Sequence, residues 1–223
     1  MIEVMLRLIS LFAILNCLVC PLAAGPWLRD HGAHFLSIAI ESPVDTNQKD
    51  QAYSSLYYEY GFRPRWTLGA DVGANTFGHG KSIAFLRTNI WRGEMALAAV
   101  ELGLGTQATF QGKDIAIRPG ASWGRSIATP VFNGWISADV TYTILPRLRR
   151  SIAKIEAVQG INIGRGHKLM LKMTAEKETA NRALTTLTPA LAKRLSPSTH
   201  IVTEVIFSGD LPEKLKLGFW FQF

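Results

Sequence analysis

Charged side chains recur in this chain at spacings that a two-residue period would gather onto one face of extended segments. The carboxylates are Glu59, Asp71, Glu101, Asp139, Glu156, Glu176 and Glu204; the cations are Arg87, Arg118, Lys154, Lys172 and Lys216. Opposite charges sharing one surface can do two things. They can neutralise one another as ion pairs, or they can line a watery passage and sort polar solutes by charge.

Other chemistry finds less support. Gly80-Lys81-Ser82 resembles the end of a phosphate-binding loop, but Asn75 stands where its first glycine is needed and a strand pattern follows instead of a helix. Gly103-x-Gly105 and Gly164-x-Gly166 lack the third glycine of a dinucleotide loop. They are expected to form turns or to relieve crowding in a curved sheet. His31, His34, His79, His167 and His200 form no metal-ligand spacing, so no metal and no cofactor is expected. His79 is the one candidate for catalysis. It falls in a loop close to Ser82, but a nucleophile needs an oriented base and a third partner, and no acid can be assigned to that role.

The elements that must position these residues are strands. Apolar residues alternate with polar ones in Trp66 to Gly73, in Ala96 to Gly105, in Ile136 to Ile144 and in Lys168 to Glu176. A one-residue slip would exchange the two faces, so consistent alternation fixes a face for each side chain. Turn signals fall near 42–51, 62–65, 75–81, 91–94, 106–113, 129–134, 146–150, 164–167, 179–182, 196–199 and 209–213. They divide the chain into about twelve strands of about ten residues; ten strands also fit. An even number puts both termini at one end.

The first 24 residues read differently. Met1 to Arg7 carries one acid and one base, Leu8 to Val19 is almost unbroken apolar sequence, and small residues close the segment at Ala23-Ala24. That order predicts a cleaved signal peptide over 1–24 and a single domain over 25–223. The apolar run is short for a helix crossing about 30 Å of hydrocarbon. Cys17 and Cys20 both lie in it, so the remaining chain has no thiol for a disulfide, a zinc site or catalysis. Glu3 and Arg7 cancel, and the net charge of +7 belongs to the remainder. An exported basic chain is expected to meet anionic lipid or lipopolysaccharide and no nucleic acid. Arg147, Arg149, Arg150 and Arg182 in outer loops suit such phosphates.

After the signal segment the longest stretch without a charge is Ser126 to Ala138, interrupted by Pro130 and Gly134, so no membrane helix is expected. If this chain enters a membrane, a closed barrel remains, because every backbone polar group must be paired there. The charged face would line the lumen and the apolar face would meet lipid. Trp27, Trp66, Trp91, Trp123 and Trp135 stand at strand ends, where interfacial aromatic girdles are found.

The last nine residues, Leu215 to Phe223, place Leu215, Leu217, Phe219, Phe221 and Phe223 on one face of a final strand. In a soluble protein that strand would be an aggregation-prone edge. Here the chain resembles Gram-negative outer-membrane β-barrel proteins. Their assembly machinery reads a C-terminal signal of a polar residue, a glycine, an aromatic and a terminal aromatic, which Lys216, Gly218, Phe221 and Phe223 match at every fixed position. The resemblance implies an all-β transmembrane up-and-down barrel, an outer-membrane address and the assembly machinery as a partner. It implies no activity. Three readings stay open: a narrow channel for small polar or anionic solutes, a closed structural barrel of the envelope, and a hydrolase of lipid or lipopolysaccharide. Oligomeric state is open as well.

Overall fold

A computed structural model describes residues 26–45, 52–179, 181–209 and 211–223. The signal-peptide segment 1–24 lies outside the described residues. The strands are β1 His34–Pro43, β2 Tyr53–Arg63, β3 Trp66–Asn75, β4 Gly80–Arg92, β5 Ala96–Thr109, β6 Gly112–Ala128, β7 Asn133–Leu145, β8 Arg150–Ile163, β9 His167–Glu178, β10 Leu184–Ser196, β11 Thr199–Ser208 and β12 Leu211–Gln222. Each pairs antiparallel with its sequence neighbours, and β1 closes on β12. The result is a twelve-stranded up-and-down barrel with no free edge, the only all-β solution to pairing every strand.

Every anticipated connection joins two strands. Several strands outrun the expected ten residues, β6 reaching 17 and β5 14. The reason lies in the β5–β6 hairpin. Apolar alternation ends near Gly105, but backbone pairing continues to Thr109 and Gly112, where Gly112 adopts a φ of 127°. Ladder hydrogen bonds carry the hairpin past the point where its side chains stop signalling.

The outer surface is apolar along the strands. Leu102 and Leu104 are more than half exposed, as are Ile40 and Met173, and Leu169, Leu171, Leu191, Leu215 and Leu217 face the same way. A belt of this size on a soluble chain would be an aggregation surface; on a closed barrel it is the lipid face. The seam is held at its terminal end by Phe223. Its carbonyl accepts from the His34 amide at 2.7 Å, and its ring stacks on the His34 ring with centroids 5.0 Å apart. His34 also stacks on Tyr60 and its Nδ1 lies 2.6 Å from the Tyr58 hydroxyl. Gly218, from the same C-terminal pattern, is buried and Lys216 points inward.

Candidate functional site

The barrel encloses a cavity of about 460 Å³ lined by side chains of both charges. One wall, built from β2 to β6, carries a continuous run of ion pairs. Arg87 Nη1 meets Glu59 Oε1 at 2.8 Å, and Arg87 Nη2 meets Glu101 Oε2 at 2.6 Å. Arg118 then joins Glu101 Oε1 at 3.4 Å to Asp71 Oδ2 at 2.5 Å, and Lys81 reaches the same Asp71 oxygen at 2.7 Å. At the other end Arg29 Nε contacts Glu59 Oε2 at 2.5 Å. The Tyr57 hydroxyl donates to Glu59 Oε1 at 2.7 Å and accepts from Arg87 at 3.1 Å.

An aromatic ring supports this run. Phe85 is buried, stacks on Tyr57 at 5.6 Å, and lies 5.1 Å and 5.8 Å from the guanidinium carbons of Arg87 and Arg118. Small inward residues make the space. A Cβ on Gly69 would overlap the Phe85 ring, and one on Gly120 would lie 2.8 Å from Glu101 Cγ. Because β3 offers only Thr67 and Gly69 at this level, side chains of β2 and β4 meet directly over it.

The facing wall, β7 to β12, is paired more sparsely. Glu204 takes Lys172 at 2.5 Å and Lys216 at 3.7 Å, while Lys154 meets Glu156 at 3.0 Å. Lys214 pairs with Glu41 at 2.9 Å across the seam. Asp139 and Glu176 line the cavity and form no ion pair among the described residues. Asp139 stands directly opposite Glu156 in the β7–β8 register, an unfavourable cross-strand pair of like charges. The first wall carries four cations against three carboxylates, whereas on the second Lys154, Lys172 and Lys216 share the lining with Asp139, Glu156, Glu176 and Glu204, an excess of one carboxylate.

Apolar clusters narrow both ends. At the end holding the termini, Trp135, Met170, Ala190, Ala192 and Val202 pack together inside the barrel with Trp27 and Trp220 against them. Two of the five expected girdle tryptophans are therefore corrected. Trp135 is 1% exposed, and a Cβ on Gly160 would strike its ring; Trp27 lies inside the mouth against Gly124. Trp66, Trp91 and Trp123 do face outward. At the opposite end Ile83, Ala116 and Leu145 form a cluster that Leu148 joins from the β7–β8 turn, its amide donating to Asp114 at 2.9 Å.

Of the twelve charged residues singled out in the sequence, eleven line the cavity, and Glu59 lies fully buried beneath Arg87 and Arg29. Lys81 and Glu41 also line the cavity, and Arg29 and Lys214 enter the ion-pair network behind it, beyond the residues that the alternation singles out. In the sequence Lys81 carries no signal beyond the phosphate-loop fragment Gly80-Lys81-Ser82. Arg29 belongs to no periodic element and left no signal. Gly164 and Gly166 do form a turn, with φ of 53° and 94°. His79 packs edge-on against Phe110 at 4.0 Å, its ring has no hydrogen bond among the described residues, and Ser82 faces outward on β4. Arg147 and Arg149 are exposed at the opposite mouth, and Arg150 pairs with Glu178 at 2.6 Å. Among the described residues no three His, Cys, Asp or Glu side chains are grouped to hold a metal.

No protein-family model and no curated protein sequence matches the chain. Solved structures do resemble it. The KdgM porin superposes with a TM-score of 0.67 at 8% identity, over 85% of this chain and 99% of that one. A KdgM porin in complex with disordered oligogalacturonate gives 0.62 at 11%, over 85% and 99%. The NanC porin gives 0.59 at 13%, over 83% and 98%. At such identities the likeness is one of fold: this chain is a twelve-stranded transmembrane β-barrel of the architecture found in outer-membrane porins.

Proposed function

We propose that this protein is a narrow outer-membrane channel for small polar or anionic solutes. The observation that carries the reading is the charge-lined cavity of about 460 Å³ inside a barrel whose outer face is an aliphatic belt. Apolar filling would hold a closed barrel as well or better, so stability alone does not account for a charge-lined cavity. Both termini lie at one end, which in an outer-membrane barrel is the periplasmic end. The cation surplus on the first wall, at Arg29, Arg87, Arg118 and Lys81, favours solutes bearing carboxylate or phosphate. The same chemistry is consistent with the structural likeness to a porin solved with oligogalacturonate, itself a polyanion.

Swelling of liposomes containing the refolded protein tests this. Uptake of a monoanionic sugar acid faster than of the neutral sugar of equal size supports the reading. Equal rates would remove the anionic preference, and no uptake of either would remove the channel.

A further inference from the structure

Residues Pro26 to Gly32 belong to no strand, yet the barrel interior holds them from several sides. On β4, Asn89 Nδ2 donates to the Pro26 carbonyl at 2.9 Å; on β3, Thr67 Oγ1 accepts from the Arg29 amide at 2.9 Å. On β2, Glu59 takes the Arg29 guanidinium and the Gly61 carbonyl accepts from the Gly32 amide at 2.7 Å. The guanidinium carbon of Arg29 also lies 4.4 Å from the centre of the Phe35 ring on β1. Across the mouth, Trp27 packs against the cluster built on Trp135 and Met170, which β7 and β9 contribute. The segment therefore bridges opposite walls at the end where the termini lie.

The wall is shaped to receive it. A Cβ on Gly61 would collide with the Asp30 carbonyl, and one on Gly124 would lie 2.5 Å from the Trp27 ring and 2.8 Å from Pro26. Side chains there would exclude the segment without disturbing the ladder, since backbone pairing needs no glycine. None of its contacts is a strand pairing, so moving it breaks no sheet hydrogen bond.

We propose that residues 26–32 form the constriction of the channel, with Trp27 setting how much current passes and Arg29 setting which ions pass. This rests on the channel reading above. Trp27 closes the space between the two walls. Arg29 adds the fourth cation to a run holding three carboxylates, and its removal leaves Glu59 neutralised by Arg87 alone.

The test is conductance of the refolded protein in a planar bilayer, with folding verified by heat-modifiable gel mobility. Trp27→Ala should raise the conductance several-fold over the unsubstituted protein, including from an undetectable level. Gly124→Val should do the same from the wall side by expelling Trp27, and Trp27→Leu should give a smaller rise if Gly124→Val does not fold. Arg29→Ala should move the reversal potential in a salt gradient toward cations. If the unsubstituted protein conducts and the folded Trp27 variants conduct equally, this inference fails and the channel reading stands. If neither the unsubstituted protein nor any folded variant conducts, the channel reading fails and takes this inference with it.

Discussion

Gly69 and Phe85 are register partners on β3 and β4, and the ring occupies the volume that any side chain at 69 would need. That vacancy lets Phe85 lie under Arg87 and Arg118 and holds both guanidiniums over the lumen wall. Gly69→Ala should therefore displace the ring and lower stability by about 1–3 kcal/mol. The measurement is the urea midpoint of the heat-modifiable band; an unchanged midpoint would mean that the ring has somewhere else to go.

Arg87 neutralises two carboxylates, one of them fully buried. Arg87→Ala should cost about 3–5 kcal/mol, because it strands Glu59 and Glu101 with reduced compensation. Adding Glu59→Gln to Arg87→Ala should return part of that loss, since the two groups are coupled. Equilibrium unfolding in detergent gives both values, and strictly additive losses would contradict the coupling.

Lumen cations and lumen carboxylates should shift selectivity with opposite signs when they are replaced. Lys172→Glu removes the closest partner of Glu204 and adds a second carboxylate, so the reversal potential should move toward cations. Glu101→Gln removes the carboxylate that Arg87 and Arg118 share and should move it toward anions. Reversal potentials that move together, or not at all, would place these side chains off the conduction path.

Deletion of Phe223 removes the ring stacked on His34 and the carbonyl that closes the seam. The folded, heat-modifiable fraction should fall in refolding, and a larger fall on expression in a Gram-negative cell is what the resemblance of the C-terminal pattern to an assembly signal implies. His34→Ala keeps the backbone bond to Phe223 and removes the stacks on Phe223 and Tyr60 with the Tyr58 contact, and it should show a smaller loss.

The strands were legible because lipid imposes a strict period: Leu102 and Leu104 face out, Glu101 and Gly103 face in, and no other phase satisfies both environments. Which acid meets which base was not legible. Arg87 reaches Glu59 over an intervening strand only because Thr67 and Gly69 are small, a relation of three strands and not of spacing. Trp135 shows a signal that was present and outweighed. With Ile136 facing out, period two places Trp135 inside, but its position at a strand end suggested a girdle. Arg29 lies outside any alternating segment, so its partner appears only once the barrel closes around it.

The most direct test of the channel claim is single-channel recording of the refolded protein in a planar bilayer. Discrete, reproducible conductance steps, with a reversal potential that Lys172→Glu and Glu101→Gln shift in opposite directions, are the predicted result. A bilayer that stays silent with protein shown to be folded, for the unsubstituted chain and for Trp27→Ala alike, would contradict it and identify the barrel as closed.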